Sequence, residues 1–140
     1  MLNKAVLIGH VGNEPERKTT GSGVLWTRFS LATSERWTDK RTGEKKERTE
    51  WHNIVSFHEP LIEFIESYVH KGSKLYIEGK IRTRSWEDKG EKRYATDIAL
   101  EAFSGRIELL DRKKSPNDQM PDDGYGDTPG DAYQGEGGYA

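Results

Sequence analysis

A mainly β fold with one short helix and an appended acidic tail is what this sequence predicts, from three observations. Apolar and polar residues alternate with a period of two in five stretches. One segment between the third and fourth stretches carries helical spacing instead. The composition then changes abruptly towards the C-terminal end.

Residues 1–114 hold all 22 Lys and Arg against 18 acids, a net charge of +4, whereas residues 115–140 hold six acids and no base, a net −6. Those last 26 residues contain six Gly and three Pro, and no Leu, Ile, Val, Phe or Trp. Such a segment buries too little apolar surface to offset the entropy of ordering it. Residues 113–140 are therefore expected to form a disordered Gly/Pro/Asp-rich acidic tail behind one folded domain, residues 1–112. A body of this size has a thin core, for which self-association is a common remedy. The chain has no cysteine, so neither a disulfide framework nor a thiolate metal site is available. The apolar run Ala5–Ile8 is too short for a signal-peptide core, and no stretch approaches the length of a membrane span. A cytosolic protein without membrane contact is the expectation.

The first strand candidate is Asn3–Val11. The second, Val24–Thr33, puts Leu25, Phe29 and Leu31 on one face and Trp26, Arg28 and Ser30 on the other. The run Glu35–Glu50, with six basic and five acidic residues around Thr42-Gly43, reads as a charged loop between Trp37 and Trp51, a flap over a groove. Trp51–Phe57 is the third strand. The segment Glu59–Gly72 predicts the helix, with Pro60 in its first turn, Leu61, Ile65 and Tyr68 as its apolar stripe, and Gly72 as its stop. The fourth strand, Ser73–Trp86, sets Leu75, Ile77, Gly79 and Ile81 on an aliphatic face against Tyr76, Glu78, Lys80, Arg82, Arg84 and Trp86. Gly79 suggests a bulge or bend that lets the sheet curl. Arg93–Phe103 is the fifth strand, and Thr20–Gly23 and Asp88–Glu91 carry hairpin-turn chemistry. Five antiparallel strands with one helix between the third and fourth are the layout of an OB-fold, a small barrel that binds oligonucleotides and oligosaccharides.

Trp26, Trp37 and Trp86 stand beside basic residues: Arg28, then Arg36 and Lys40, then Lys80, Arg82 and Arg84. Rings interleaved with cations suit sequence-tolerant binding of single strands, since every base offers a π-face and every link a phosphate. A large aromatic is more often core, but the three cations alternating with Trp86 do not belong on a core face. Trp51 shares its face with Asn53, Val55 and Phe57, which fits either reading. Catalysis has little to draw on. His52 and His58 are about 20 Å apart along a strand, too far to share a metal. Gly9-His-Val-Gly12 follows a strand instead of joining two helices, so it does not read as a phosphate clamp. No P-loop, nucleophile elbow or metal-binding carboxylate pair is present, and neither cofactor nor metal is expected.

Leu31-Ala-Thr-Ser-Glu-Arg-Trp37, Thr49-Glu-Trp-His-Asn-Ile-Val55 with Phe57, Lys71-Gly-Ser-Lys-Leu-Tyr-Ile-Glu-Gly79 and Arg82-Thr-Arg-Ser-Trp86 occur in order. With Asn3–Gly9, Gly12 and Pro15 they make residues 2–110 resemble bacterial-type single-stranded DNA-binding proteins. The resemblance implies a non-enzymatic OB-fold homotetramer in the cytoplasm, associated with the nucleoid, that wraps and protects single-stranded DNA during replication, recombination and repair. It implies stacking roles for Trp37, Trp51, Phe57 and Trp86 and an interface role for His52. Roles for Trp26 and Arg28 rest on their own strand face. The family's tail ends in an acidic run and Ile-Pro-Phe that recruits replication and repair proteins; this chain ends Gly135-Glu-Gly-Gly-Tyr-Ala140, so recruitment by that tip is not expected. The competing readings are a replication accessory module acting through protein contacts and a metal-dependent nuclease on the same barrel.

Overall fold

The computed structural model of the protein describes residues 1–111, so the tail expected over residues 113–140 lies outside the described residues. These residues contain β1 (Ala5–Val11), β2 (Glu16–Thr19), β3 (Leu25–Thr38), β4 (Lys45–Ser56), α1 (Glu59–Tyr68), β5 (Lys74–Asp88), β6 (Glu91–Leu100) and β7 (Arg106–Leu109). They form two compact units, Met1–Thr33 with Glu50–Asp111, and Ser34–Thr49.

In the larger unit the sheet runs β1-β3-β4-β6-β5, and β5 pairs back onto β1, which closes a five-stranded ring with β2 added on β3 and β7 on β5. This is the OB-type barrel that the sequence predicts. Two strands of four residues each escaped the sequence reading: β2 (Glu-Arg-Lys-Thr) has no apolar residue to mark a period, and β7 (Arg-Ile-Glu-Leu) alternates too briefly to stand out. The ring is also not wholly antiparallel: β4 and β6 run parallel, from Asn53↔Asp97 to Ser56↔Leu100. Strand β6 ends at Leu100 instead of Phe103, where a tight turn is closed by the Gly105 N–H donating to Glu101 O at 2.8 Å.

The interior follows the alternation. Phe29, Leu31, Ile54, Leu75, Ile77, Ile98 and Leu100 are buried from four strands of the ring, and Val11 from the fifth, β1. The aliphatic face predicted for β5 stops early, because Ile81 is exposed although its register partner Ile98 is buried. Helix α1 begins after His58, with Pro60 in its first turn where a missing N–H costs nothing. Of the predicted stripe, Ile65 is buried and Leu61 packs half-buried against the core, but Ile62 takes the third inward place and Tyr68 stays exposed against Phe64. The helix ends at Tyr68 with an extended Val69, so Gly72 is not its stop. Gly72 takes φ +90° in the following turn, in which Ser73 N–H donates to His70 O.

The smaller unit replaces the expected loop with the arms of the β3–β4 hairpin, whose turn closes through Asp39 N–H to Glu44 O at 2.8 Å. A two-stranded ribbon solvated on both sides has no apolar period to read. Polar cross-strand pairs hold it: Ser34 with Thr49 at 3.0 Å, Arg36 with Glu47 at 3.4 Å and Asp39 with Lys46 at 2.9 Å. The Lys46 hydrogen bond, helped by the Arg41 N–H, holds the Asp39 carboxyl below its ordinary value.

The β5–β6 turn, by contrast, reads as predicted. Asp88 pairs with Glu91, and Lys89 (φ 51°) and Gly90 (φ 81°) make the two left-handed residues of a tight hairpin. Strand β5 changes partner at Gly79. Residues up to Gly79 pair with β1, as in Ala5↔Gly79, and those from Lys80 on pair with β6. The Asn3 side chain extends the β1 ladder one step further, donating to Ile81 O at 2.9 Å and accepting from Ile81 N at 3.0 Å. What requires glycine at 79 is proximity: a Cβ there would stand 2.8 Å from Ala99 O and 2.8 Å from Ile98 Cγ2. Gly79→Ala is therefore expected to cost about 1–3 kcal/mol of folding stability by overpacking. An unchanged urea midpoint would show that the bend relaxes freely.

Candidate nucleic-acid interface

Residues opposite one another across a sheet project to the same side, so the register assembles an outer face directly. On β4 and β6 it pairs Asn53 with Asp97 and Val55 with Ala99. On β6 and β5 it pairs Ala99 with Lys80, Asp97 with Arg82, Ala95 with Arg84 and Arg93 with Trp86. Alternation along β4 adds Trp51 and Phe57 to this side. Phe57 stacks on Trp26 of β3, centroids 5.8 Å apart and planes 17° from parallel, and alternation brings in Arg28. Strand β2 then sets Lys18 beside Trp26 and Glu16 beside Arg28. One side of five strands thus gathers Trp26, Arg28, Trp51, Phe57, Lys80, Arg82, Arg84 and Trp86.

The rings on it are largely open to solvent. Trp51 is 63% exposed, Phe57 54% and Trp86 41%. Arg84 Cζ lies 5.0 Å from the Trp86 ring centre and Lys18 Nζ 5.9 Å from that of Trp26. Trp26 is half-buried in its stack. Trp51 lies over Gly12, where a Cβ would come within 2.3 Å of its Cζ3 atom. The second glycine of Gly9-His-Val-Gly12 is therefore a seat for an indole ring.

The cations are paired with carboxylates of the same chain. Lys80 Nζ lies 3.0 Å from Glu101, which Arg82 also meets, while Arg84 Nε donates to Asp97 Oδ2 at 2.7 Å. Arg28 and Lys18 share Glu16 at 3.5 and 3.4 Å, and Arg93 meets Asp88 at 3.2 Å. The Lys80 hydrogen bond, with Arg82 adding its charge, keeps the Glu101 carboxyl below its ordinary value against some desolvation. Glu101, Glu16, Lys18 and Arg93 were missed in the sequence. Continuing the alternation Ala95, Asp97, Ala99 would have found Glu101; the β2 pair had no such signal. A cleft of about 330 Å³ opens beside Phe57, Arg82 and Glu101, floored by Ala99 and Leu100.

Two predicted residues stand apart from this set. Trp37, half-buried, belongs to the hairpin unit. His52 is half-buried on the opposite side of β4, its Nε2 2.8 Å from Thr33 Oγ1. Among the described residues no three His, Cys, Asp or Glu are grouped to hold a metal ion, and no helix is long and apolar enough to cross a membrane.

The family model described as "Single-strand binding protein family" matches residues 2–108. A protein of Rickettsia typhi (strain ATCC VR-144 / Wilmington) named "Single-stranded DNA-binding protein" is 52% identical over 117 residues, 83% of this chain and 77% of its own length. One of the same name from Rhizobium meliloti (strain 1021) is 46% identical over 111 residues, 79% of this chain and 64% of its own. The fold is similar to the solved structure "Plasmodium falciparum SSB complex with ssDNA", with a TM-score of 0.71 and 39% identity over 79% of this chain and 96% of that one.

The Trp26–Phe57 stack is expected to couple the two side chains. A double-mutant cycle of Trp26→Ala and Phe57→Ala in urea denaturation should give about 0.5–1.5 kcal/mol of interaction. Strict additivity would mean that the rings pack independently.

Proposed function

The chain belongs to the single-strand binding protein family, and on that premise we propose that it binds and protects single-stranded DNA without sequence preference during replication, recombination and repair. Bases stack on Trp51, Phe57 and Trp86, with Trp37 and Trp26 as further aromatic contacts. Phosphates are met by Arg28, Lys80, Arg82 and Arg84. The observation that carries this reading is the outer face itself, where exposed rings and cations alternate across contiguous strands. Its readout needs no base-edge code, because stacking accepts any base and phosphates are alike.

The protein acts by binding and not by catalysis, in the cytoplasm on the DNA of the nucleoid. A nuclease reading finds no supporting arrangement of metal ligands among the described residues. A reading as an accessory module acting through protein contacts leaves the exposed rings beside cations without a purpose.

We further propose a homotetramer. Strand β1 pairs with β3 only at His10↔Ala32 and Val11↔Leu31, so most of that edge is left to another partner. Val6 and Ile8 are exposed beside it, 54% and 53%, and His52 with Thr33 adds a polar contact on a second surface. A second copy covering β1 would bury those side chains and extend the sheet.

Titration of intrinsic tryptophan fluorescence with oligo-dT tests the function. Trp51→Ala and Trp86→Ala should each weaken binding by about 1–3 kcal/mol while leaving the unfolding midpoint nearly unchanged. Full affinity in both variants would remove the stacking role. Ile8→Glu should shift the sedimentation coefficient to smaller species without unfolding the barrel, because the residue is exposed within one chain. A stable monomer in the wild type at micromolar concentration would contradict the assembly.

A further inference from the structure

Six cations stand on the outer face, and each is met by a carboxylate of the same chain: Lys18 and Arg28 by Glu16, Lys80 and Arg82 by Glu101, Arg84 by Asp97 and Arg93 by Asp88. Two of the four acids bridge a pair of cations each. Apart from Arg84–Asp97, whose carboxylate is buried, these are exposed ion pairs, which add little to folding stability. Their cost to binding is plain, because an arriving phosphate must displace a carboxylate of like charge. The cation then exchanges one anion for another, and the displaced carboxylate remains beside the incoming strand.

We propose that Glu101 and Glu16 are specificity-determining residues, which cancel the attraction that any polyanion would feel for this face and leave binding to ligands that also offer unstacked bases. This rests on the single-strand reading given above. A single strand presents free base faces to Trp51, Phe57 and Trp86, which are exposed to take them. A duplex keeps its bases stacked on one another, and a polyphosphate has none. With the acids in place, these two gain little from the face. Without them they would gain most, since their binding is wholly electrostatic and a duplex carries the denser charge. The two glutamates are the right place to look: their side chains are 30% and 49% exposed, so each can swing aside for a phosphate and each can be replaced without opening the core.

The test measures affinities of the full chain for oligo-dT, for a duplex of equal length and for inorganic polyphosphate over a range of salt. The variants are Glu101→Gln, Glu16→Gln, their combination and the conservative Glu101→Asp. Each Gln is expected to raise affinity for duplex and polyphosphate about fivefold at low salt, the value of one screened charge pair. The duplex salt slope should steepen by about 0.9 per carboxylate removed, and that of oligo-dT by about 0.7, so the preference for the single strand narrows. Glu101→Asp, which keeps the charge, should keep the wild-type preference. Unchanged slopes and an unchanged ratio of oligo-dT to duplex affinity in both Gln variants and their combination, in a wild type that binds oligo-dT, would overturn the inference alone. A wild type that fails to hold oligo-dT while the Gln variants gain duplex binding as expected would overturn the single-strand reading and leave the role of the glutamates standing.

Discussion

The parallel pairing of β4 with β6 joins the two antiparallel halves of the ring that β1 and β5 close, and closure decides which way every other side chain points. A closed sheet has one interior, so alternation leaves each strand a single choice of inward residues and sends the rest outward. Ile54 with its partner Ile98, and Leu100 opposite Ser56, lie inside; Asn53 with Asp97 and Val55 with Ala99 lie on the outer side. A slip of one residue in this short ladder would turn the aliphatic residues out and the charged ones in. The ladder is anchored by a buried side chain as well, with Ser56 Oγ donating to Leu100 O at 2.9 Å. The outer face therefore inherits its order from the core, and needs no dedicated scaffold of its own.

Much of this was legible in the sequence, for a physical reason. Where a strand has one wet and one dry face, its period of two is written in the residues, and Phe29, Leu31, Leu75 and Ile77 went inside as read. The signal failed where that contrast vanishes. The hairpin arms 34–38 and 45–49 are wet on both sides, β2 and β7 are too short for a period to stand out, and Ile81 continues an apolar pattern into an exposed position. In the candidate site, the aromatics were identifiable because a ring next to a cation is an unusual neighbour for a core. Their separate situations were not. That Trp26 lies half-buried against Phe57 while Trp51 rests on Gly12 depends on contacts between strands far apart in the chain. Alternation could place Glu101 on the outer side, but its pairing with Lys80 was invisible for the same reason, since the two meet only through the β5–β6 pairing.

Stability and recognition draw on different residues here. The barrel is held by aliphatic side chains and by backbone ladders, while the exposed rings and ion pairs contribute little to it. That separation lets the outer face change composition without endangering the fold, with two exceptions already fixed by packing. Trp51 requires the glycine beneath it, and Trp26 shares its stack with Phe57.

The pairing of β1 with β5 joins Ala5 to Gly79, and Asn3 grips Ile81 across 78 positions of sequence. Contacts so distant in the chain are slow to form, because a large loop must close before they yield anything. On the ribosome this sets an order of events. The first strand emerges long before its principal partner exists, and carries Val6, Ile8 and an open edge into the cell unaccompanied. The hairpin of β5 and β6, joined by a two-residue turn, can form locally as soon as it clears the exit tunnel. Ring closure cannot precede the synthesis of β6, so β1 waits through the making of every other strand of the ring before it is enclosed.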